Sequence, residues 1–250
     1  MKKENSWGAV AGWYDKHLEN EDTYHSAVVL PNLLRVVNLK KEESLLELGC
    51  GQGFFLDKFS EISSSITGVD LGKELIKIAK SKNPKINFKV GNAEDPNILK
   101  GEKFDVVTIV LALQNMKNLN SVVANLDRLL KENGRVCLVV NHPTFRIPKK
   151  SSWGVDRENK IQYRRIDEYM TESEVSMDMT PGQNKNKIIT LSYHRPLQVY
   201  SKSFSKFGFA ITKIEEWISH RKSEKGPMAK AEDKSRKEIP LFMCLVLKKI

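Results

Sequence analysis

The sequence has little of what would place it in a membrane, a secreted scaffold or a metal site. No apolar run approaches the roughly 18 to 20 residues that a spanning helix requires, and the opening MKKENSWG lacks the apolar core of a secretory leader. The expected location is the cytoplasm, without a membrane span. Only three cysteines occur, Cys50, Cys137 and Cys244, all in apolar or glycine-rich surroundings and none in a CxxC pair. That usage suits buried thiols in a reducing compartment, and it speaks against a disulfide framework or a zinc site, so no metal is expected. Internal repeats and low-complexity tracts are missing too, which excludes solenoids and propellers.

Negative charge is also short: 31 Asp and Glu face 41 Lys and Arg, a net charge of +10. The excess is uneven, because between His142 and Arg165 seven Lys or Arg meet only two acids. Such a stretch can draw nucleic acid or a small anion, or can simply keep a surface solvated. With 40% hydrophobic and 29% charged residues over 250 positions, the chain has the balance of a globular protein and enough length for one substantial core. The expected organisation is one domain over 1–250, with a helical N-terminal cap at 1–40 and insertions at 142–198 and 218–239.

From position 45 short apolar runs alternate with helical patterns, as in a parallel sheet with crossover helices. SLLELG (44–49), SITGVD (65–70), INFKVGN (86–92), FDVVTIVLAL (104–113) and RVCLVVN (135–141) read as five strands. The continuous apolar character of 104–113 marks a central strand covered on both faces. Helices are expected over 54–62, 73–82 and 119–131, the last stopped by Asn133-Gly134. After Asn141 the period is lost until a helix in PLQVYSKSFSKFGF (196–209), followed by strands at 210–217 and 241–249. In the cap, Pro31 should begin or kink a helix. The fold class is α/β: a doubly wound, mostly parallel seven-stranded sheet with an antiparallel last strand.

ELGCGQG (47–53) joins a buried strand to a helix, so its backbone must turn sharply and can approach a ligand closely. Seventeen residues beyond Gly53, Asp70 ends the second strand, where a carboxylate can accept from both hydroxyls of an adenosine ribose. The dinucleotide fingerprint GxGxxG shares this logic, but here the spacing is GxGxG and Glu47 stands two residues ahead of the first glycine. A carboxylate there would repel a pyrophosphate and attract an ammonium or sulfonium.

ELGCGQG, the acid in GVDLG (68–72), the GNAED turn (91–95) and the strand FDVVTIVLAL together resemble the successive motifs of the class I S-adenosylmethionine-dependent methyltransferases. The resemblance is strongest to the small-molecule branch typified by the ubiquinone and menaquinone methyltransferases, and covers about residues 45–141. It implies S-adenosylmethionine (SAM) as cofactor, with Glu47, Gly49, Gly51 and Gly53 about the methionine portion, Asp70 on the ribose and Leu71 against adenine. Asn92 stands where relatives often carry an aspartate that accepts from the adenine amino group, beside Ala93. Leu111 and Ala112 would line the open side, and Tyr14 resembles a residue that closes over the cofactor.

The acceptor must then approach over the ends of the fourth and fifth strands, where residues 141–165 offer His142 as a base, Arg146 for an anion, and Phe145, Trp153 and Tyr163 as walls. SYHRPLQVY (192–200) adds His194 and Arg195. NHPTF (141–145) imitates the signature of amino-group methylation on nucleobases, but lies after the wrong strand. The leading expectation is methyl transfer to an O, N or C atom of a small aromatic or acidic metabolite. An RNA or tRNA methyltransferase using the basic segment is the alternative, and a SAM-binding regulator without turnover is a third.

Overall fold

The computed structural model describes residues 22–179 and 188–250. The chain enters through a helix that winds with π geometry over His25–Val29 and with α geometry over Leu30–Val37, α1. Pro31 sits in the first turn of α1, where its missing N–H costs no hydrogen bond and the widened turn before it absorbs the ring. Asn38 ends the helix in a left-handed conformation (φ 45°), and Arg135 secures that end by donating to Val37 O at 2.7 Å while pairing with Glu43.

Five strands and three helices follow in alternation: β1 (Leu45–Leu48), α2 (Phe54–Ser60), β2 (Ile66–Asp70), α3 (Lys73–Lys82), β3 (Asn87–Val90), β4 (Phe104–Val110), α4 (Leu119–Leu129) and β5 (Leu130–Asn141). Beyond two ribbons come α5 (Leu197–Lys206), β10 (Phe209–Trp217), α6 (Ala229–Glu238) and β11 (Phe242–Lys249). The seven long-range strands form one sheet in the order β10-β11-β5-β4-β1-β2-β3. β11 runs antiparallel to both of its neighbours, while β1 to β5 pair in parallel.

Alternation along each strand divides the core in two. On β5, Val136, Leu138 and Val140 face α4 and α5, with Val122, Leu126 and Phe204. Cys137 and Val139 face α1, α2 and α3, with Leu33, Phe59 and Ile76. All three cysteines are buried and free, and burial pushes the Cys137 thiol up to about 12.

Two expectations are corrected. β4 stops at Val110, short of residue 113, because Leu111 turns left-handed (φ 53°) into a single helical turn at Leu113–Asn115. The stretch after β5 is not irregular: it forms two antiparallel ribbons, β6 (Ser151–Asp156) with β7 (Ile161–Ile166), and β8 (Ser173–Asp178) with β9 (Ile189–His194). α6 rests on the first ribbon, with Ser235 Oγ donating to Gln162 O at 2.7 Å. Among the described residues no helix is long and apolar enough to cross a membrane.

Candidate functional site

β1 delivers Glu47 into the protein interior and then gives way to the glycine loop. Gly49, Gly51 and Gly53 all have positive φ (77°, 55° and 82°), which only glycine adopts without strain. Gly49 N–H donates to Val69 O at 2.7 Å, fastening the loop to the end of β2. Asp70 completes the fastening: its two carboxylate oxygens accept from Gly51 N–H at 2.9 Å and Gly72 N–H at 2.7 Å. Burial raises the Asp70 pKa, against the pull of those backbone donors. Each oxygen still has a lone pair to offer.

These elements line an open cleft at the carboxyl ends of the parallel strands, the position where open α/β sheets receive ligands. Gly49, Gly51, Asp70, Leu71, Asn92, Ala93, Leu111 and Ala112 all line it. Leu71 is 53% exposed, an apolar side chain left open on one wall. Asn92 Oδ1 accepts from Glu94 N–H at 3.0 Å, so its first task is to hold the 92–95 turn, with one lone pair remaining.

Glu47 and Gly53 are not among the residues that line the cleft. Gly53, the N-cap of α2, faces β3 and α3: a β-carbon there would lie 2.7 Å from the Phe88 ring and 3.7 Å from Ala79 Cβ, so this glycine serves helix packing. Tyr14 lies outside the described residues. Sequence reasoning had not assigned Leu75, Glu94, Asn115 and Met116, which also line the cleft. Glu94 stood within the GNAED motif, and its Oε1 accepts from Lys117 N–H at 2.7 Å, joining two rims. Nothing in the spacing marks Leu75.

The fit to a cationic adenosyl ligand rests on the buried carboxyl of Glu47, on which the charge of cleft-lining Asp70 acts. The buried side-chain atoms without a partner among the described residues are Glu47 Oε2, Gln52 Oε1 and Gln114 Oε1, all acceptors. Glu47 is 1% exposed, and burial together with the Asp70 charge holds its carboxyl well above the usual range. What this region lacks is N–H donors and positive charge, which a methionine ammonium and sulfonium would bring. The adenosyl end is met by Asp70 and by apolar Leu71 and Leu75.

The expected acceptor residues divide. His142 is a structural residue, contrary to expectation: Nδ1 accepts from Thr144 N–H (3.2 Å) and Phe145 N–H (3.4 Å), and Nε2–H donates to Glu216 at 2.7 Å. Neither nitrogen is open to take a proton, and burial lowers the pKa further. His194 Nε2 bonds Tyr169 O at 2.8 Å, and Arg195 donates to the carbonyls of Leu113, Met116 and Lys117. Both are buried and neither lines the cofactor cleft; Arg195 clamps the turn that carries Asn115 and Met116 into the cleft. Phe145 lies against His142, Arg146 over Phe242 and Arg164 over Trp153. Tyr163 packs over Gly154 on the outer ribbon and is 50% exposed. Among the described residues no group of three or more His, Cys, Asp or Glu converges as a metal would need.

Comparison with known proteins agrees with this geometry. Residues 46–138 match a family model described as "Methyltransferase domain". A demethylmenaquinone methyltransferase of Lactococcus lactis is 37% identical over 117 residues, 43% of this chain and 46% of that protein. A ubiquinone biosynthesis O-methyltransferase of Photobacterium profundum is 30% identical over 98 residues, 38% of this chain and 42% of that protein. The chain thus spans less than half the length of these relatives. SAM-dependent methyltransferase structures from Mesorhizobium loti (TM-score 0.69, 21% identity, 87% of this chain and 96% of that one) and, as a putative member, Listeria monocytogenes (TM-score 0.67, 24% identity, 88% and 97%) share the fold. Motifs, family match and sheet order together identify residues 46–138 as a class I methyltransferase domain of the SAM-dependent type.

Proposed function

We propose that this chain transfers a methyl group from SAM to an O, N or C atom of a small aromatic or acidic acceptor. The observation that carries the reading is the cleft lined by the Asp70 carboxylate, which is tied to the glycine loop and close enough to the buried, orphaned carboxyl of Glu47 for their charges to interact. When bound, SAM supplies a methyl carbon already activated by its sulfonium leaving group. The protein's tasks are then to hold, to orient and to exclude water.

In this reading Asp70 accepts from the ribose hydroxyls, Glu47 draws the methionine ammonium toward β1, and Leu71 and Leu75 flank the adenine. Gly51 leaves room for the ligand, since nothing lies within 4 Å of where its β-carbon would be. The two insertions at 142–198 and 218–239 form the acceptor cover, with Phe145, Arg146 and Trp153 facing the acceptor. The small-molecule reading gains support from the charge of the basic segment, part of which is spent internally: Lys150 pairs with Glu168 and Arg165 with Asp167. The relatives named for quinone methylation suggest a ring-bearing acceptor.

Isothermal titration with SAM, S-adenosylhomocysteine, NADH and NADPH tests the proposal. Micromolar binding of the adenosyl ligands alone is expected; nicotinamide binding without them overturns it.

A further inference from the structure

Two arginines of the region after β5 have no carboxylate to balance them. Arg146 follows β5 in a turn whose N–H donates to His142 O at 2.9 Å. Its guanidinium lies 5.9 Å from the Phe242 ring centre and makes no side-chain hydrogen bond or ion pair among the described residues. Arg164, on β7, is oriented by Phe145 O and Ser151 Oγ, both at 2.8 Å, and lies 5.2 Å over Trp153. Lysine and arginine neighbours do find acids, as Lys150 and Arg165 show. The electrostatic neighbour that perturbs Arg164 is Arg146, another cation, and the one that perturbs Arg146 is Tyr24. Two guanidinium groups left close together repel each other, and planar forks of this kind match an oxyanion.

Their place in the fold links them to the cleft. Phe242, under Arg146, opens β11 and pairs in register with Asn141, the last residue of β5. One pleat back, Val139 O accepts from Leu111 N–H at 2.8 Å, and Leu111 lines the cleft. The arginines therefore stand beyond the strand ends that border the cofactor position. Tyr24 packs edge-on to Phe242, so the neighbourhood is aromatic as well as cationic.

We infer that Arg146 and Arg164 form an anion subsite that holds the carboxylate or phosphate of an aromatic acceptor while its ring lies against Phe145 and Trp153. That the bound molecule is a methyl acceptor rests on the proposed function; the anion subsite itself does not.

The test is calorimetric titration of the full chain with benzoate, phenyl phosphate and the neutral benzyl alcohol, with and without S-adenosylhomocysteine. At least one anion should bind tenfold or more tightly than benzyl alcohol, and the stronger of the two names the oxyanion. Arg146→Gln should abolish the preference while melting temperature and S-adenosylhomocysteine affinity stay unchanged, because this side chain bonds to nothing else; Arg164→Gln should weaken it. Equal binding of all three probes, no binding of any, or a preference that survives in Arg146→Gln overturns the subsite. If the preference holds but S-adenosylhomocysteine does not bind, methyl transfer fails and the anion subsite stands; the converse result removes the subsite alone.

Discussion

Gly49 and Ala112 meet across the floor of the cleft so closely that a β-carbon at position 49 would lie 2.5 Å from Ala112 Cβ. The loop after β1 and the turn after β4 are thus pressed together with no side chain between them, and Leu111 takes its left-handed conformation at that junction. A non-glycine residue in that region stores backbone strain, here beside the ligand position.

Gly49→Ala should therefore separate the two turns and lose roughly 2–4 kcal/mol across folding and cofactor binding. Gly51→Ala meets no neighbour, so it should cost only the backbone strain of its left-handed φ, about 1–2 kcal/mol, while reducing cofactor affinity. Thermal melting beside S-adenosylhomocysteine titration separates the two; equal behaviour of the variants would sink the distinction.

Asp70→Ala should weaken cofactor binding by about 1–3 kcal/mol, since it removes charge-assisted bonds to the ribose and frees the Gly51 and Gly72 N–H groups. Unchanged affinity in this variant would show that the ribose lies elsewhere.

Glu47 makes cofactor binding sensitive to pH. Its folded pKa is raised, by burial first and the Asp70 charge second. Stability from its neutral form is complete below the unfolded carboxylate value and is lost as pH rises from there through the raised value. A cationic ligand favours the ionised form, so binding should release a proton and tighten as pH rises toward the raised value. Titration in buffers of different ionisation heat measures that release, and Glu47→Gln should abolish it; buffer-independent heats in the native protein would refute the coupling.

His142 should behave as a structural residue. Its pKa is lowered, by burial first, so the stability it contributes is present above the unfolded histidine value and is lost as pH falls below it. His142→Ala is expected to cost about 1–3 kcal/mol of stability and to retain turnover under conditions where the variant is folded. Loss of turnover with melting and cofactor affinity intact would restore the base.

The parallel half of the sheet was legible because β1 and the inner stretches of β4 (106–110) and β5 (136–140) are buried and almost wholly apolar. The glycine loop and Asp70 were legible for a related reason: a sharp turn at a strand end has few chemical solutions. The ribbons β6–β7 and β8–β9 were not, since half-exposed strands such as IQYRRI carry no run of apolar residues to announce them. Nor could spacing show that His142, His194 and Arg195 turn their polar atoms toward backbone groups and Glu216. Apart from Thr144 and Phe145 beside His142, those partners come from segments distant in sequence, as with Arg195 and Leu113.

The Arg195 clamp ties the chain's two concerns together. The residues that line the cleft lie between 49 and 116, whereas Arg195 belongs to the insertion proposed as the acceptor cover yet grips Leu113, Met116 and Lys117 by their carbonyls. Exchanging that cover with a relative's would change acceptor choice only if the graft were cut before residue 195. A graft that takes the arginine too would leave the cofactor wall without its anchor, so the boundary between inheritable chemistry and replaceable specificity runs through this one side chain.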